Sequence, residues 1–463
     1  MVATLPIVCY ETRPERYRYW QLMFEGPVAT LATQAGANGR EADIELSDAV
    51  QRIRFEHPEV RAVIVTNVRD KVFGTETHAQ SRAGLDAFAD ETRSAIEDAS
   101  RSSGIRFLAA VNGACIGDVY ALALACDEIV LVDDRASLVR MPELRPAGLA
   151  RLMDRRRVRR DRTDVLRGLL DGMPGSQALA WGLVDELVPP QDFARRVQER
   201  AHELAAHGER PHSTRGVPLV PLKKTVKNDA ICWGHVALQI DRAARTATLA
   251  VSAPTGAQPL DVAGIESAGS HWYPLQMARE LDDAVLHLRS NEPAMAMWVL
   301  KSRGSAEAVL AMDATLAAHQ AHGFVRETIG LLRRTLARLE ASAPVTCALI
   351  DRGSCFAGTL LELALAADRS DMPALPDDRH AAPKLGLSAM NFGAYPTPGH
   401  QSRVHRRFHG NGAAIAAAQA NRGAMLDADQ ARRLGLVSNE AARCRPTPVG
   451  AVAQTAAVLM ART

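Results

Sequence analysis

No CxxC pair occurs in this 463-residue chain, whose seven cysteines lie scattered at Cys9, Cys115, Cys126, Cys232, Cys347, Cys355 and Cys444. Their odd number and wide spacing argue against a disulfide framework and a thiolate zinc site, and fit a reducing compartment. Excess charge of one sign is also lacking. A formal net charge of +2 gives no electrostatic case for a nucleic-acid or membrane-surface partner. The opening residues, MVATLPIVCYETRPER, have no sustained apolar stretch before acids and arginines arrive. No signal peptide is therefore expected, and the expected location is cytoplasmic. GxGxxG, P-loop, HExxH and GxSxG motifs are absent, which removes the usual signatures of dinucleotide, phosphate, zinc-hydrolase and serine-esterase chemistry. His207 and His212 stand without metal-site company, so no metal is assigned.

What is present is ordinary globular composition, 47% apolar and 23% charged, in a chain too long for a single core. The apolar stretch from Leu108 to Cys126 is interrupted by Asn112 and Asp118. It reads as a buried strand, a turn and a helix rather than a membrane span. Internal repeats set the architecture. EGPVATLAT at Glu25–Thr33 matches DRAARTATLAV at Asp241–Val251, and ELSDAVQRIRFEHP from Glu45 matches ELDDAVLHLRSNEP from Glu280. ALALACD (Ala121–Asp127) matches ELALAAD (Glu362–Asp368), and the segment around Gly182 matches that around Gly435. Four matches in one order, at separations growing from about 218 to about 253 residues, mark a tandem duplication. The Pro-, Gly- and His-rich stretch His207–Pro221 reads as the linker, dividing the chain into modules 1–212 and 213–463.

Within the first module, Ile44, Leu46, Val50 and Ile53 fall near helical spacing, and VRAVIVTNV reads as a strand buried on both faces. A helix over Ala87–Ser103, the strand RFLAAVNG, a turn at Asn112–Gly117, the helix VYALALACD and the strand EIVLVDD follow. Alternating strands and helices predict an α/β fold, a parallel sheet with crossover helices.

The buried strand with its NGACIG turn, ALALACD, EIVLVDD, MPEL and GSQALAWGLVDELVPP together resemble the crotonase (enoyl-CoA hydratase/isomerase) superfamily. IRFEHPEVR, LALACDEI, WYPLQMARELDDA, FVRETIGLLRRTLARL, RGSCFAG and NFGAYP resemble, more narrowly, the benzoyl-CoA-dihydrodiol lyases, or 2,3-epoxybenzoyl-CoA dihydrolases. The resemblance implies two tandem ClpP/crotonase-type modules, the second degenerate and structural or oligomerising. It implies hydrolytic ring opening of an epoxidised or dihydroxylated benzoyl-CoA-type thioester, with formate release. Coenzyme A would be part of the substrate, with no separate cofactor, and the protein would form a homodimer or larger homo-oligomer.

Such chemistry builds charge on the thioester oxygen and calls for two preorganised backbone N–H donors. Gly117, in the turn before a helix N-terminus, is the expected first donor, and Gly74, in VFGTETHAQ, the second. The loop that holds Gly74 is shorter than the family's. Of the two glutamates the family uses as acid and base, Glu143 in MPEL matches one, whereas Ala121 stands at the other position. Asp86 stands where the family has a cysteine and is the candidate second acid, with a solvated helix face as the plain alternative. Asp118 replaces a glycine of the turn. Arg155 to Arg162 form a dense basic segment, expected to be helical, in which Arg156 and Arg159 are candidates for the CoA phosphates. In the second module Glu362 occupies the place of Ala121, but no acid lies near Ser388–Asn391, so no second active site is expected. The rival reading is a catalytically silent paralogue that binds acyl-CoA or only assembles.

Overall fold

The computed structural model describes residues 7–34, 39–67, 71–73, 83–141, 145–210, 215–374 and 382–438, without the side chains of 71–73 and 83–86. The chain divides into two compact units, Glu11–Leu219 and Val220–Thr463, with Met1–Tyr10 belonging to the second. The dividing point lies later than residue 212 because the end of the expected linker packs on the first unit. The Val217 N–H donates to the Phe55 carbonyl at 2.8 Å, the Leu219 N–H to Glu56 Oε1 at 2.7 Å, and both side chains are buried.

In the first unit, β1 (Trp20–Glu25) and β2 (Val28–Thr33) form an antiparallel hairpin. The chain continues through α1 (Arg40–Glu56), β3 (Ala62–Asn67), α2 (Ala83–Asp98), β4 (Arg106–Val111), α3 (Asp118–Ala125), β5 (Glu128–Val132), β6 (Glu186–Val188) and α4 (Pro190–Ala206). The sheet keeps chain order from β1 to β6, parallel from β2 onward. Alternation places Val63, Val65, Phe107 and Ala109 in one apolar cluster with α3, and Ala62, Ile64, Leu108 and Ala110 in another with Phe193 and Val197 of α4. Strands covered on both faces have no polar side to mark, which is why they read as unbroken apolar runs. The expected turn after β4 itself contains a strand, Gly113–Ile116, which pairs in parallel with Leu138–Arg140 and Lys71–Phe73 in a second, smaller sheet. Its residues lack a long apolar run, so period alone misses it.

In the second unit, Thr225–Lys227 and Ala230–Cys232 precede β7 (Val236–Asp241) and β8 (Thr246–Ser252) at one edge of the sheet. Then come α5 (Tyr273–Asn291), β9 (Met297–Arg303), α6 (Ala306–Ala318), α7 (Gly323–Ser342), β10 (Thr346–Leu349), α8 (Gly358–Ala366) and β11 (Arg369–Asp371). The sheet again keeps chain order, antiparallel from β7 to β8 and parallel from β8 to β11.

The repeat extends to individual hydrogen bonds. Buried Glu45 accepts the N–H groups of Arg18, Tyr19 and Trp20, and buried Glu280 accepts those of Gly234, His235 and Val236. Asp127 accepts the Phe107 N–H at 2.8 Å, and its counterpart Asp368 the Thr346 N–H at 2.7 Å. Each carboxylate comes from a residue distant in sequence and fixes the start of a strand, satisfying donors that would otherwise be buried unpaired. No helix among the described residues is long and apolar enough to cross a membrane.

Candidate active site of the first unit

The strand Gly113–Ile116 ends at Gly117, whose φ of +63° turns the chain into α3. A side chain rarely adopts that conformation, which accounts for glycine here. The Gly117 N–H does not point to an open site. It donates to the Arg140 carbonyl at 2.9 Å, extending the small sheet by one bond. Gly117 as oxyanion donor therefore does not fit, and the next amide, that of Asp118, is the first without a described acceptor. It sits at the start of α3, where helix N–H groups lack internal partners.

The Asp118 side chain is half-exposed, with Arg93 Nη2 at 3.5 Å and Arg145 Nη2 at 3.7 Å from Oδ1. Arg93 is buried and also donates to the Asp118 carbonyl at 3.1 Å. Asp90 lies 3.8 Å from Arg93 and 3.7 Å from buried Arg151, which in turn bonds Glu97 at 2.8 Å. Beside this network stands Asp43 of α1. Burial pushes its carboxyl up to about 6, with Arg93 and Arg145 pulling it down and the charges of Asp118 and Asp90 pushing it up. An acid held near neutrality can give or take a proton at working pH. Neither Asp43 nor Arg93 stood out in the sequence. They are ordinary helix residues about fifty positions apart, and only the packing of α1 on α2 brings them beside the turn.

Ala121, four residues after Gly117, is 8% exposed and part of the apolar cluster. The expected basic helix is broken. A π-turn ends at Arg155, Arg157 has φ +54°, and α-helix resumes only at Arg160. Arg156 is not free for a phosphate. Its Nε donates to the Gly182 carbonyl at 3.3 Å, its guanidinium closes on Asp185, and its side chain is 7% exposed. The duplicate unit repeats the staple, since Arg407 Nε donates to the Gly435 carbonyl at 2.8 Å and its Nη2 to Ser438. Arg159 is exposed and paired with Asp161 at 2.6 Å. Glu143 and Gly74 lie outside the described residues. Asp86 falls in α2, but its side chain is not described. Among the described residues no group of His, Cys, Asp and Glu is placed to hold a metal ion.

The enoyl-CoA hydratase/isomerase family profile matches residues 37–214. A benzoyl-CoA-dihydrodiol lyase from Aromatoleum evansii is 46% identical over 470 aligned positions, covering 94% of this chain and 84% of that protein. The fatty acid oxidation complex subunit alpha of Shewanella loihica is 34% identical over 122 residues, 24% of this chain and 16% of that one. Among solved structures, an enoyl-CoA hydratase from Geobacillus kaustophilus aligns with TM-score 0.36 at 24% identity, covering 41% of this chain and 75% of that one. Identity at this level through both units is decisive, and the chain belongs to the family of benzoyl-CoA-dihydrodiol lyase, within the enoyl-CoA hydratase/isomerase superfamily.

Proposed function

We propose that the protein is a CoA-thioester lyase that opens the ring of an epoxidised or dihydroxylated benzoyl-CoA with release of formate, and that the first unit performs the chemistry. The observation that carries this reading is the 46% identity to the Aromatoleum evansii lyase, maintained across 94% of the chain. In this reading the thioester oxygen lies against the N-terminus of α3 and takes the Asp118 N–H as one donor, with the loop holding Gly74 as the expected second. Glu143 is the general acid or base. Because Ala121 leaves no carboxylate four residues after Gly117, the second proton carrier is Asp43 or Asp118, with Asp86 the remaining alternative. Arg93 and Arg145 stand 3.5 Å and 3.7 Å from the Asp118 carboxylate beside the turn. A removed acid or base in such a reaction lowers the rate by about 10²–10⁴-fold. Coenzyme A is part of the substrate, the enzyme is expected in the cytoplasm, and it works as a homodimer or larger homo-oligomer.

The test is formate and aldehyde release from the epoxide and dihydrodiol thioesters by wild type, Asp43→Asn and Asp118→Asn. Turnover by wild type with a strong fall in at least one variant is expected. Tight thioester binding without turnover would replace this reading by the acyl-CoA-binding one.

A further inference from the structure

We propose that the second unit retains the acyl-oxygen position of the fold but fills it with its own carboxylate, that of Asp313. The position is defined by the turn. Gly358, with φ +43°, enters α8 as Gly117 enters α3, and the following amide is that of Thr359 as it is Asp118 in the first unit. There the two units part. The Asp118 amide has no described acceptor, whereas the Thr359 N–H donates to Asp313 Oδ2 at 2.9 Å.

Asp313 comes from α6, between β9 and α7. That is the same place in the chain order as the stretch between β3 and α2, from which the first unit is expected to supply its other donor. The carboxylate is 2% exposed. Besides the Thr359 amide it accepts from the Thr359 hydroxyl, which is itself 2.8 Å from the Tyr395 hydroxyl, and from the Ser388 hydroxyl. A backbone amide at a helix start together with two hydroxyls is a donor set for oxygen carrying negative charge. Glycine at 358 is fitted to the occupant. A Cβ there would stand 1.9 Å from Asp313 Oδ2, so any other residue would expel the carboxylate.

The charged and titratable groups around it are accounted for. Glu362 on α8 is taken by Arg403 at 3.1 Å and Asn391 at 2.6 Å, and Tyr273 and Tyr395 are neutral phenols that burial keeps protonated. None of the described ion pairs gives Asp313 a cation. Burial pushes its carboxyl up to about 6 and the three donors pull it down. Asp313 thus plays the part of a bound acyl oxygen, and the second unit is closed to thioesters whatever substrate the first unit takes.

Removing the plug makes the position available to a free small carboxylate. In the full-length protein, Asp313→Ala is expected to melt below wild type and to regain roughly 2–4 °C in sodium formate or acetate. The reference is sodium chloride of equal ionic strength, and neither wild type nor Asp313→Asn, whose amide still fills the space, should respond. Should Asp313→Ala fail to fold, Asp313→Ser, whose hydroxyl stops one atom short of the carboxylate oxygens and leaves the Thr359 amide open, carries the same formate measurement. A carboxylate-specific rise confined to the truncated variant supports the plug. Indifference to formate and acetate in the truncated variants, or an equal rise in wild type, overturns it.

Discussion

Four residues after the positive-φ glycine, the two units carry different residues on one scaffold. The first has Ala121, packed in an apolar cluster with Leu152, and the second has Glu362 bonded to Arg403. Leu152 stands four residues before the staple arginine Arg156, as Arg403 stands four before Arg407. The two positions differ together: the first unit has two residues of one apolar cluster where the second has a buried ion pair. Both solutions can satisfy a core, because a buried ion pair that is fully bonded can give way to well-packed apolar residues at little cost. What the fold does not allow is half of either. The bonds that hold the scaffold, from Glu45 and Glu280, from Asp127 and Asp368, and from Arg156 and Arg407, are kept in both units.

Four measurements break or sharpen this comparison. The largest effect is on turnover. Glu143→Gln is expected to cost about 10²–10⁴-fold in rate, while Glu362→Gln in the second unit leaves turnover unchanged. Equal losses from both would place chemistry in the second unit.

The next is on stability. Arg403→Leu alone strands Glu362 and also removes two bonds to Glu340 and one to the Tyr395 carbonyl, and should cost about 3–5 kcal/mol in urea unfolding, whereas Arg403→Leu with Glu362→Ala should recover the part due to Glu362. A double variant as unstable as the single would show that the paired exchange is not the reason for the difference.

A smaller, matched effect is expected at the staples. Arg156→Ala and Arg407→Ala should each cost about 0.5–1.5 kcal/mol, since the acceptors they release, the Gly182 and Gly435 carbonyls with Asp185 and Ser438, belong to exposed residues that water can satisfy, with CoA affinity unchanged in both. Loss of salt-dependent CoA binding in Arg156→Ala would return that residue to the phosphate role expected from its basic neighbourhood.

The smallest effect concerns pH. Burial pushes Glu362 up to about 7, against the pull of Arg403 and Asn391, and Asp313 up to about 6. Both folded carboxyls hold protons that the unfolded chain has already released. Their contribution to stability is full below about 4 and is lost as pH rises through about 6 to 7. Unfolding midpoints of wild type should fall across that window, and Glu362→Gln should flatten the fall. Asp43 gives the first unit a dependence of the same sign, ending near 6.

The sequence by itself determined the two modules, their parallel sheets with crossover helices and the glycine turn with its helix. These depend on patterns local to a segment, namely apolar period, turn residues and an internal repeat, which survive without knowledge of what packs where. It also placed Ala121 opposite Glu362, since an insertion-free match such as ALALACD with ELALAAD transfers position directly. Only the tertiary structure decided which amide of the turn is open. Gly117 spends its N–H on Arg140, a residue in another strand, and no spacing rule reports a partner brought in by sheet pairing. For the same reason the arginine-rich run reads as a phosphate site in the sequence, whereas the fold sets Asp185 and the Gly182 carbonyl around Arg156. Asp313 and Asp43 were invisible for a further reason. Each is an unremarked acid on a helix, and its chemistry comes from burial and from the donors or charges facing it, which belong to segments distant in sequence.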